Sequence, residues 1–267
     1  LLVRPNAPPE TATVLADALR QICGQLQLSS AHVTFCTTQN STTLSQRGWL
    51  PRLGMQYHWH NNGYQTFDDF LAALSSRKRK VLKRERRDAN AAGLTFETLR
   101  GADITPADWD AFYQFYQNTI DRKWGSAYLT RSFFSLLSEK LGERVVLMVA
   151  RHGPQPVAAA LNLVGTDTLY GRNWGCVGTW PFLHFELCYY RAIEFAIANG
   201  LKRVEAGAQG EHKIQRGYTP SLTHSAHWIE NPSFRASVAA FLEQERSAIQ
   251  QEAQALTALS PYKQEQE

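Results

Sequence analysis

The chain has 267 residues, of which 43% are hydrophobic and 11% aromatic, so it can form one large or two medium domains with a sizeable core. This composition argues against a mainly disordered protein, and the lack of an apolar run of about 18 residues argues against a membrane span. The first residue is Leu1 rather than Met, so we expect a fragment or processed form that lacks an N-terminal part.

The cysteine residues predict free thiols rather than a metal centre. Cys23, Cys36, Cys176 and Cys188 follow no zinc-binding or CxxC spacing. Cys36 lies in a strand-like run and Cys188 in a helical one, as is usual for small buried side chains. We therefore expect a reducing, cytoplasmic environment and no bound metal.

The positive charge of the chain is concentrated in residues 75–90. This stretch holds eight basic and two acidic residues, so its own charge is +6, and the net charge of +4 less this +6 leaves −2 for the remainder. This basic stretch has three possible interpretations: a solvated surface helix, a phosphate-binding site for a nucleotide, lipid head group or RNA, or a targeting signal. The candidates for anion or phosphate binding are Arg77, Arg79, Lys80, Arg84 and Arg87.

Residues 1–92 predict an α/β half-domain that is incomplete at its start and ends in the basic helix. Apolar residues recur at helical spacing over 9–28. Strands are predicted over 32–36 and 52–59. A single helix is predicted over 68–90, ending before Gly93.

Residues 93–267 predict a second, complete domain. A strand over 94–99 leads to a helix that Thr105 caps, with Pro106 at its first position. The aromatic stripe of this helix is interpreted as core. A loop containing Lys123 and Trp124 and a helix over 129–141 follow.

The second half of this domain begins with an antiparallel meander, predicted from strands over 144–150, 157–164 and 168–174. A helix over 182–199 is closed by Gly200. The remaining predicted elements are strands over 202–206 and 223–229 and a charged amphipathic helix over 234–258.

The segment 169–190 predicts a strand, a glycine loop and a helix, an arrangement that favours anions because backbone N–H groups and the helix dipole point at the loop. Residues 172–178 approximate the Arg/Gln-x-x-Gly-x-Gly/Ala loop that holds coenzyme A in GNAT acyltransferases, although Val177 stands where Gly or Ala is expected. Glu186 lies in the apolar stripe of the helix. It either forms a buried salt bridge with Arg172 or Arg216, or serves as a general base or amine anchor.

Residues 205–218 bring acidic, basic, imidazole and amide side chains together between small residues and a tyrosine. Glu205 is predicted at a strand end, and residues 211–216 are predicted as one helical turn. His212 is suited to carry a proton near neutral pH, while Lys213 and Arg216 are suited to polarise an acyl carbonyl or hold a phosphate. The alternative is that these side chains only bond to one another and stabilise the fold, with no part in catalysis. No Gly-x-Ser-x-Gly or catalytic cysteine pattern occurs, which disfavours a hydrolytic nucleophile.

Several long motifs resemble the FemAB-like family of predicted N-acyltransferases, a bacterial family associated with peptidoglycan biosynthesis or recognition. The resemblance covers nearly the whole chain. The motifs that carry it are residues 170–175, 183–190, 205–213 and 216–218, with 56–59, 67–70 and 76–80 in the first half. It implies an α+β fold of the GNAT type, with two tandem GNAT-like domains of which the first is truncated.

The resemblance also implies a reaction. The better-known Fem transferases move an amino acid from aminoacyl-tRNA to the amine of a muramyl-peptide precursor, and a basic segment of their first domain contacts the nucleotide diphosphate. The basic stretch of this chain is similar to that segment in kind. An acyl-CoA donor is the alternative, so we expect no tightly bound cofactor and a co-substrate that is aminoacyl-tRNA or acyl-CoA, with tRNA as a possible partner.

The prediction is therefore an N-acyltransferase that forms an amide on a small-molecule or peptide amine acceptor. Glu205, Glu186 or His212 would accept the proton, and Lys213 or Arg216 would stabilise the oxyanion. A non-catalytic GNAT-fold protein that binds muramyl peptide or RNA is the hypothesis from another class. The predicted substrate-binding residues are Tyr170, Arg172, Trp174, His184, Gln209, Glu211, Arg216 and Tyr218.

Overall fold

The structure is a computed structural model that describes residues 1–122 and 125–263, so the predicted loop at Lys123 and Trp124 lies outside the described residues. Contacts divide the chain into two compact units. The first comprises Leu1–Gln56 and Pro220–Leu259, and the second comprises Tyr57–Thr219 and the described part of Ser260–Glu267. Each unit is therefore assembled from two separate stretches of chain.

Helices and strands are numbered in chain order. The helices are α1 (Thr11–Gln25), α2 (Thr38–Gln46), α3 (Phe67–Ala73), α4 (Ser76–Asn90), α5 (Pro106–Asp121), α6 (Arg131–Leu141), α7 (Leu183–Phe185), α8 (Arg191–Ala198) and α9 (Pro232–Thr257). The strands are β1 (Ser30–Cys36), β2 (Leu50–His60), β3 (Leu94–Arg100), β4 (Val145–His152), β5 (Gln155–Val164), β6 (Thr168–Cys176), β7 (Arg203–Glu205) and β8 (Thr219–Ile229).

In the first unit, β8 lies between β1 and the first part of β2. Helix α1 contacts both β1 and α2, and the core includes Leu44, Trp49 and Trp228. Helix α2 was not predicted because its sequence is almost entirely polar. It forms because Thr37 accepts a hydrogen bond from the Asn40 amide and because Leu44 is buried.

In the second unit, the strand order is β2-β7-β6-β5-β4-β3. The predicted antiparallel meander is confirmed by the pairing of β4 with β5 and of β5 with β6. Strands β6 and β7 are parallel, and they pair only where Thr168–Tyr170 lies beside Arg203–Glu205. Because β7 ends at Glu205 while β6 continues to Cys176, the sheet opens beside the second half of β6.

The aromatic stripe of α5 packs against α6 and the sheet, which confirms its interpretation as core. Trp109, Phe112 and Tyr116 are all at least 98% buried, and each contacts the ring of Phe134. The predicted start of α5 is also confirmed: Thr105 forms a capping box with Asp108.

The single helix predicted over 68–90 is wrong, since α3 and α4 are separate. Leu74 and Ser75 between them have extended backbones, with ψ of 152° and 149°. The Ser75 amide donates to the carbonyl of Pro261 at 3.0 Å, and Leu74 forms a bridge with Tyr262. A long-range contact therefore replaces the helical hydrogen bonds that the local sequence favours.

The predicted helix over 182–199 is continuous but not uniform. A π-helical turn, Glu186–Tyr190, joins α7 to α8. Such turns insert one extra residue and occur often at functional sites. Strand β8 also begins at Thr219, four residues before the predicted start.

The predicted boundary between residues 92 and 93 lies inside the second unit. The division into two tandem GNAT-like domains stays a prediction. Among residues 1–122 and 125–263, no helix is long and apolar enough to cross a membrane.

Candidate active site

A cavity of about 790 Å³ lies in the second unit where β6 and β7 separate. Its walls come from α5 and β5, from the second half of β6, from the π-helical turn and from the segment after β7. The lining residues are Tyr116, Thr119, Ile120, Ala160, Leu161, Asn162, Gly171, Arg172, Asn173, Trp174, His184, Cys188, Tyr189, Ala206, Ala208, Gln209, Gly210, His212 and Lys213.

A β-bulge in β6 turns Arg172 toward this cavity. Leu161 pairs with Asn173 and Asn162 with Gly171, so Arg172 is the additional residue with no partner on β5. A bulge bends its strand and re-aims the side chains beside it. The exposed guanidinium of Arg172 donates to the hydroxyl of Tyr128 at 3.2 Å at the rim.

The prediction of a coenzyme A loop over 172–178 is wrong about the backbone, because residues 172–176 are the last part of strand β6. Gly175 is required for packing. A Cβ atom there would lie 2.2 Å from the carbonyl oxygen of Phe115, so only glycine lets α5 approach this closely. The loop itself begins after Cys176, and α7 behind it has three residues.

The π-helical turn presents different residues to its two sides. Cys188 and Tyr189 line the cavity, whereas Tyr190 donates a hydrogen bond to Glu85 of α4. Burial raises the pKa of both the Cys188 thiol and the Tyr189 hydroxyl, so both groups are protonated at neutral pH.

His212 projects from a 3₁₀ turn, Glu211–Arg216, that confirms the predicted helical turn. Its Nε2 atom lies 3.0 Å from the hydroxyl of Tyr189. Burial lowers the pKa of His212, and the charges of Arg216 and Lys213 lower it further. The ring is therefore neutral at pH 7, and the protonated Tyr189 hydroxyl is the donor to Nε2.

Lys213 is 95% buried beside His212. Its Nζ atom donates to the carbonyl oxygens of Ala206 at 2.5 Å and of Gly207 at 3.2 Å. Burial lowers the pKa of Lys213 to about 8. The side chain is still mainly an ammonium ion at pH 7, and it faces the cavity without a carboxylate partner among the described residues.

The structure brings six of the predicted site residues together on the cavity wall. His184 sits between the rings of Trp174 and Tyr189, with centroid distances of 5.2 and 5.3 Å. The six residues are Arg172, Trp174, His184, Gln209, His212 and Lys213.

Three of the predicted site residues, Glu205, Tyr170 and Glu211, do not line the cavity. Glu205 is half-buried and pairs with Arg203 at 3.1 Å, and its pKa is raised by burial, with Arg203 opposing. Tyr170 and Glu211 are exposed.

Three more predicted residues are buried behind the wall, and two of them, Glu186 and Arg216, belong to a salt-bridge network. Glu186 is fully buried in a salt bridge, but its partners are Arg86 and Arg191 instead of the predicted Arg172 or Arg216. Arg216 pairs with Glu85 at 2.8 Å and donates to the carbonyl of His212 at 2.7 Å. Tyr218 is fully buried, and burial raises its pKa.

The predicted anion-binding residues lie on α4, which this network attaches to the site. Arg77, Lys80, Arg84 and Arg87 are exposed, and their spacing of three or four residues places them on one helix face. Arg79 is half-buried. The opposite face carries Glu85, which reaches the 3₁₀ turn, and Arg86, which reaches the π-helical turn.

Sequence reasoning missed Tyr189, Asn162 and Asn173 on the wall. Tyr189 was assigned to an apolar helical stripe, and the π turn that brings its hydroxyl to His212 leaves no mark in the hydrophobic pattern. The two asparagines stand within predicted strands, and the available signal at Asn162 was a polar side chain between two leucines.

The chain belongs to the FemAB-like family, described as peptidoglycan biosynthesis/recognition, whose model matches residues 1–264. This finding confirms the predicted family. No curated protein matches the sequence closely enough to count as a relative.

Solved structures share the fold at low sequence identity. The L-PGS structure from Bacillus licheniformis has a TM-score of 0.65 at 9% identity, covering 88% of this chain and 80% of that one. The C-terminal domain of a putative lysylphosphatidylglycerol synthetase from Agrobacterium fabrum has a TM-score of 0.63 at 12% identity, covering 89% and 78%. FemX has a TM-score of 0.61 at 12% identity, covering 86% and 79%. The mixed α/β part of the predicted fold class is thus confirmed.

Proposed function

We propose that the protein transfers an acyl group to the nitrogen of an amine acceptor and so forms an amide. The observation that carries the proposal is the pair His212 and Lys213, which places a neutral imidazole next to a buried ammonium on one cavity wall. Amide formation needs both functions, because the attacking amine must lose a proton while an oxygen of the acyl group gains negative charge.

The neutral His212 is our candidate for the proton acceptor, because Glu205 and Glu186 lie off the wall. The acceptor nitrogen forms a bond to the acyl carbon, and the bond from that carbon to the leaving oxygen or sulfur breaks. When the amine binds, its N–H replaces the Tyr189 hydroxyl as the donor to Nε2 of His212. Nε2 then takes the proton from nitrogen and returns it to the leaving group. Lys213 places a positive charge beside the negatively charged substrate oxygens.

Aminoacyl-tRNA is the donor that we propose, with a cell-wall peptide precursor as acceptor and the cytoplasm as the place of reaction. The exposed cations of α4 support a polyanionic co-substrate, since they extend over about 15 Å at 1.5 Å per residue. The alternative donor is acyl-CoA. The burial of Gly175 against α5 removes one of the glycines that a pyrophosphate loop would use.

The test is a transfer assay with radiolabelled aminoacyl-tRNA or acetyl-CoA and a muramyl-peptide acceptor. We expect His212→Ala and Lys213→Met each to lower turnover by about 100-fold or more, as for the loss of a general base or an oxyanion partner. The matched control is Lys202→Met, which removes an exposed lysine outside the cavity. Full turnover in both site variants would exclude the assignment.

A second experiment tests α4. Replacing Arg77, Lys80 and Arg84 by Gln should weaken tRNA binding and reduce the salt dependence of the binding constant, because fewer phosphate contacts release fewer counterions. Tight binding of tRNA or muramyl peptide without transfer from either donor would instead favour the non-catalytic binding protein.

A further inference from the structure

The charges on the cavity wall are all positive. Lys213 and Arg172 line it, and no aspartate or glutamate does within residues 1–122 and 125–263. An amine acceptor that carried only positive charge would therefore meet repulsion and no carboxylate anchor. The wall favours a ligand with negative charge.

Three glutamates on the elements around the cavity are paired with arginines elsewhere. Glu186 pairs with Arg86 and Arg191, and Glu85 pairs with Arg216. Glu205 pairs with Arg203. None of these acids therefore neutralises Lys213.

The ammonium of Lys213 is a buried charge whose protein partners are neutral. Two of its three N–H bonds are directed to the carbonyl oxygens of Ala206 and Gly207, and the described residues offer no acceptor for the third. Buried charges are normally paired with an opposite charge, because an isolated one loses its hydration without compensation. A bound anion would complete this site.

The neighbouring polar groups indicate the kind of anion. Three carboxamides, Asn162, Asn173 and Gln209, share the wall, and Oδ1 of Asn173 is buried without a hydrogen-bond partner in the described part of the chain. Carboxamides both donate to and accept from peptide groups. One ammonium matches a single carboxylate charge, whereas phosphate is usually held by several cations or by a helix N-terminus.

We propose that the amine acceptor carries a carboxylate close to its reacting nitrogen, and that this carboxylate binds the Lys213 ammonium. The substrate class is then an amino acid or peptide with an adjacent carboxylate, not a polyamine or an amino sugar. This inference rests on the proposed acyl transfer, because it names the acceptor of that same site.

Between pH 7 and pH 9.5, we expect the charge of the Lys213 ammonium to change while the charges of the groups around it stay the same. Cys188 on the π-helical turn is a neutral thiol because burial raises its pKa, and the ring of Tyr57 on β2 lies 5.5 Å from Nζ. On the 3₁₀ turn, His212 is neutral at pH 7 and Arg216 is paired with Glu85. Carboxylate binding is therefore expected to weaken as the pH rises above about 8.

The experiment is a calorimetric titration of the whole protein with N-acetylglycine, and with N-acetylglycinamide and inorganic phosphate as matched probes. We expect millimolar binding of N-acetylglycine at pH 7, at least about tenfold weaker binding of the other two, and about tenfold weaker binding of N-acetylglycine near pH 9.5. Lys213→Met should abolish the preference for the carboxylate, and Lys202→Met should keep it. The pH series uses the unaltered protein, so it does not depend on the folding of a variant.

Equal binding of the carboxylate and the amide, preference for phosphate, no binding of N-acetylglycine, or a carboxylate preference that is unchanged in Lys213→Met would each overturn the proposal. Its failure is distinguishable from that of the proposed function. Carboxylate binding without transfer from any donor rejects the acyl transfer alone. Transfer to a simple diamine as efficient as transfer to an amino acid rejects the carboxylate requirement alone.

Discussion

Two neighbouring residues of the site, His212 and Lys213, are both made less basic by burial, yet they carry different charges at pH 7. The pKa of His212 falls below 6.5, so the ring loses its proton. The pKa of Lys213 falls to about 8, so the amine keeps its proton. A single turn thereby holds a proton acceptor and a cation side by side.

The Lys213→Met variant should change how stability depends on pH. In the folded protein the pKa is about 8 against 10.5 for the free side chain, so the unfolded chain binds this proton more tightly. The buried charge therefore lowers the free energy of unfolding at pH 7 by on the order of 3 kcal/mol, and this cost disappears as the pH rises from 8 to 10.5. Urea unfolding at several pH values should show that rise in the wild type and in Lys202→Met, and its loss in Lys213→Met.

The Tyr189→Phe variant should change the pH profile of transfer. The hydroxyl donates to the neutral form of His212, so its removal makes protonation of the ring easier and raises the pKa of His212 toward 6.5. We expect the acid limb of kcat/KM to move to higher pH while turnover at pH 8 stays within about tenfold. An acid limb that did not move would show that this hydrogen bond does not tune the base.

At the level of elements, α4 is more than a carrier of positive charge. Its buried face reaches two walls of the cavity, through Glu85 to the 3₁₀ turn and through Arg86 to the π-helical turn. Two of the polar residues that sequence reasoning grouped into the site, Glu186 and Arg216, belong to this supporting layer. The same helix that exposes its cations on one face therefore also holds the 3₁₀ turn of His212 on the other.

Glu85→Gln should destabilise the second unit by about 3–5 kcal/mol, because it leaves Arg216 buried without its partner. The matched control on the same helix is Arg87→Gln, which breaks an exposed pair with Asp88 and should cost less than about 1 kcal/mol. Chemical unfolding measures both changes. Equal effects of the two substitutions would mean that the Glu85–Arg216 pair does not anchor α4.

The elements were predictable to the extent that local patterns decide them. The meander, the capped start of α5 and the turn carrying His212 follow from alternation, capping and glycine punctuation. The break at Leu74 and the π-helical turn do not, because the first depends on residues near 261 and the second on packing against α4. The polar side chains at 186, 205 and 216 were grouped with the site, but sequence spacing could not separate a supporting salt bridge from a reactive group.

At the scale of the whole chain, the second unit is completed by a short return of the C-terminal segment. The hydroxyl of Tyr262 donates to the carbonyl of Gly217 at 2.8 Å, and the Lys263 amide donates to that of Ala73 at 3.0 Å. These bonds hold the end of the 3₁₀ turn at Gly217 and the junction between α3 and α4.

Gly217→Ala should therefore be more damaging than Gly200→Ala, although both glycines have positive φ, 92° and 65°. A Cβ atom at 217 would lie 2.7 Å from the ring of Phe70 and 3.1 Å from the Tyr262 hydroxyl, whereas at 200 it would meet nothing within 4 Å. Both variants carry the backbone strain of about 1–3 kcal/mol, and the clash adds a similar amount at 217. Unfolding midpoints that coincide for the two variants would contradict this account.

The return of residues 260–263 has a consequence for the order in which the protein matures. During synthesis the ribosome makes the 3₁₀ turn that carries His212 first, then all of β8 and α9, and only then the tyrosine that bonds to the end of that turn. The nascent chain consequently contains every residue of the cavity wall long before the wall is secured. Acquisition of activity should thus be a late event, tied to the emergence of Tyr262 rather than of His212.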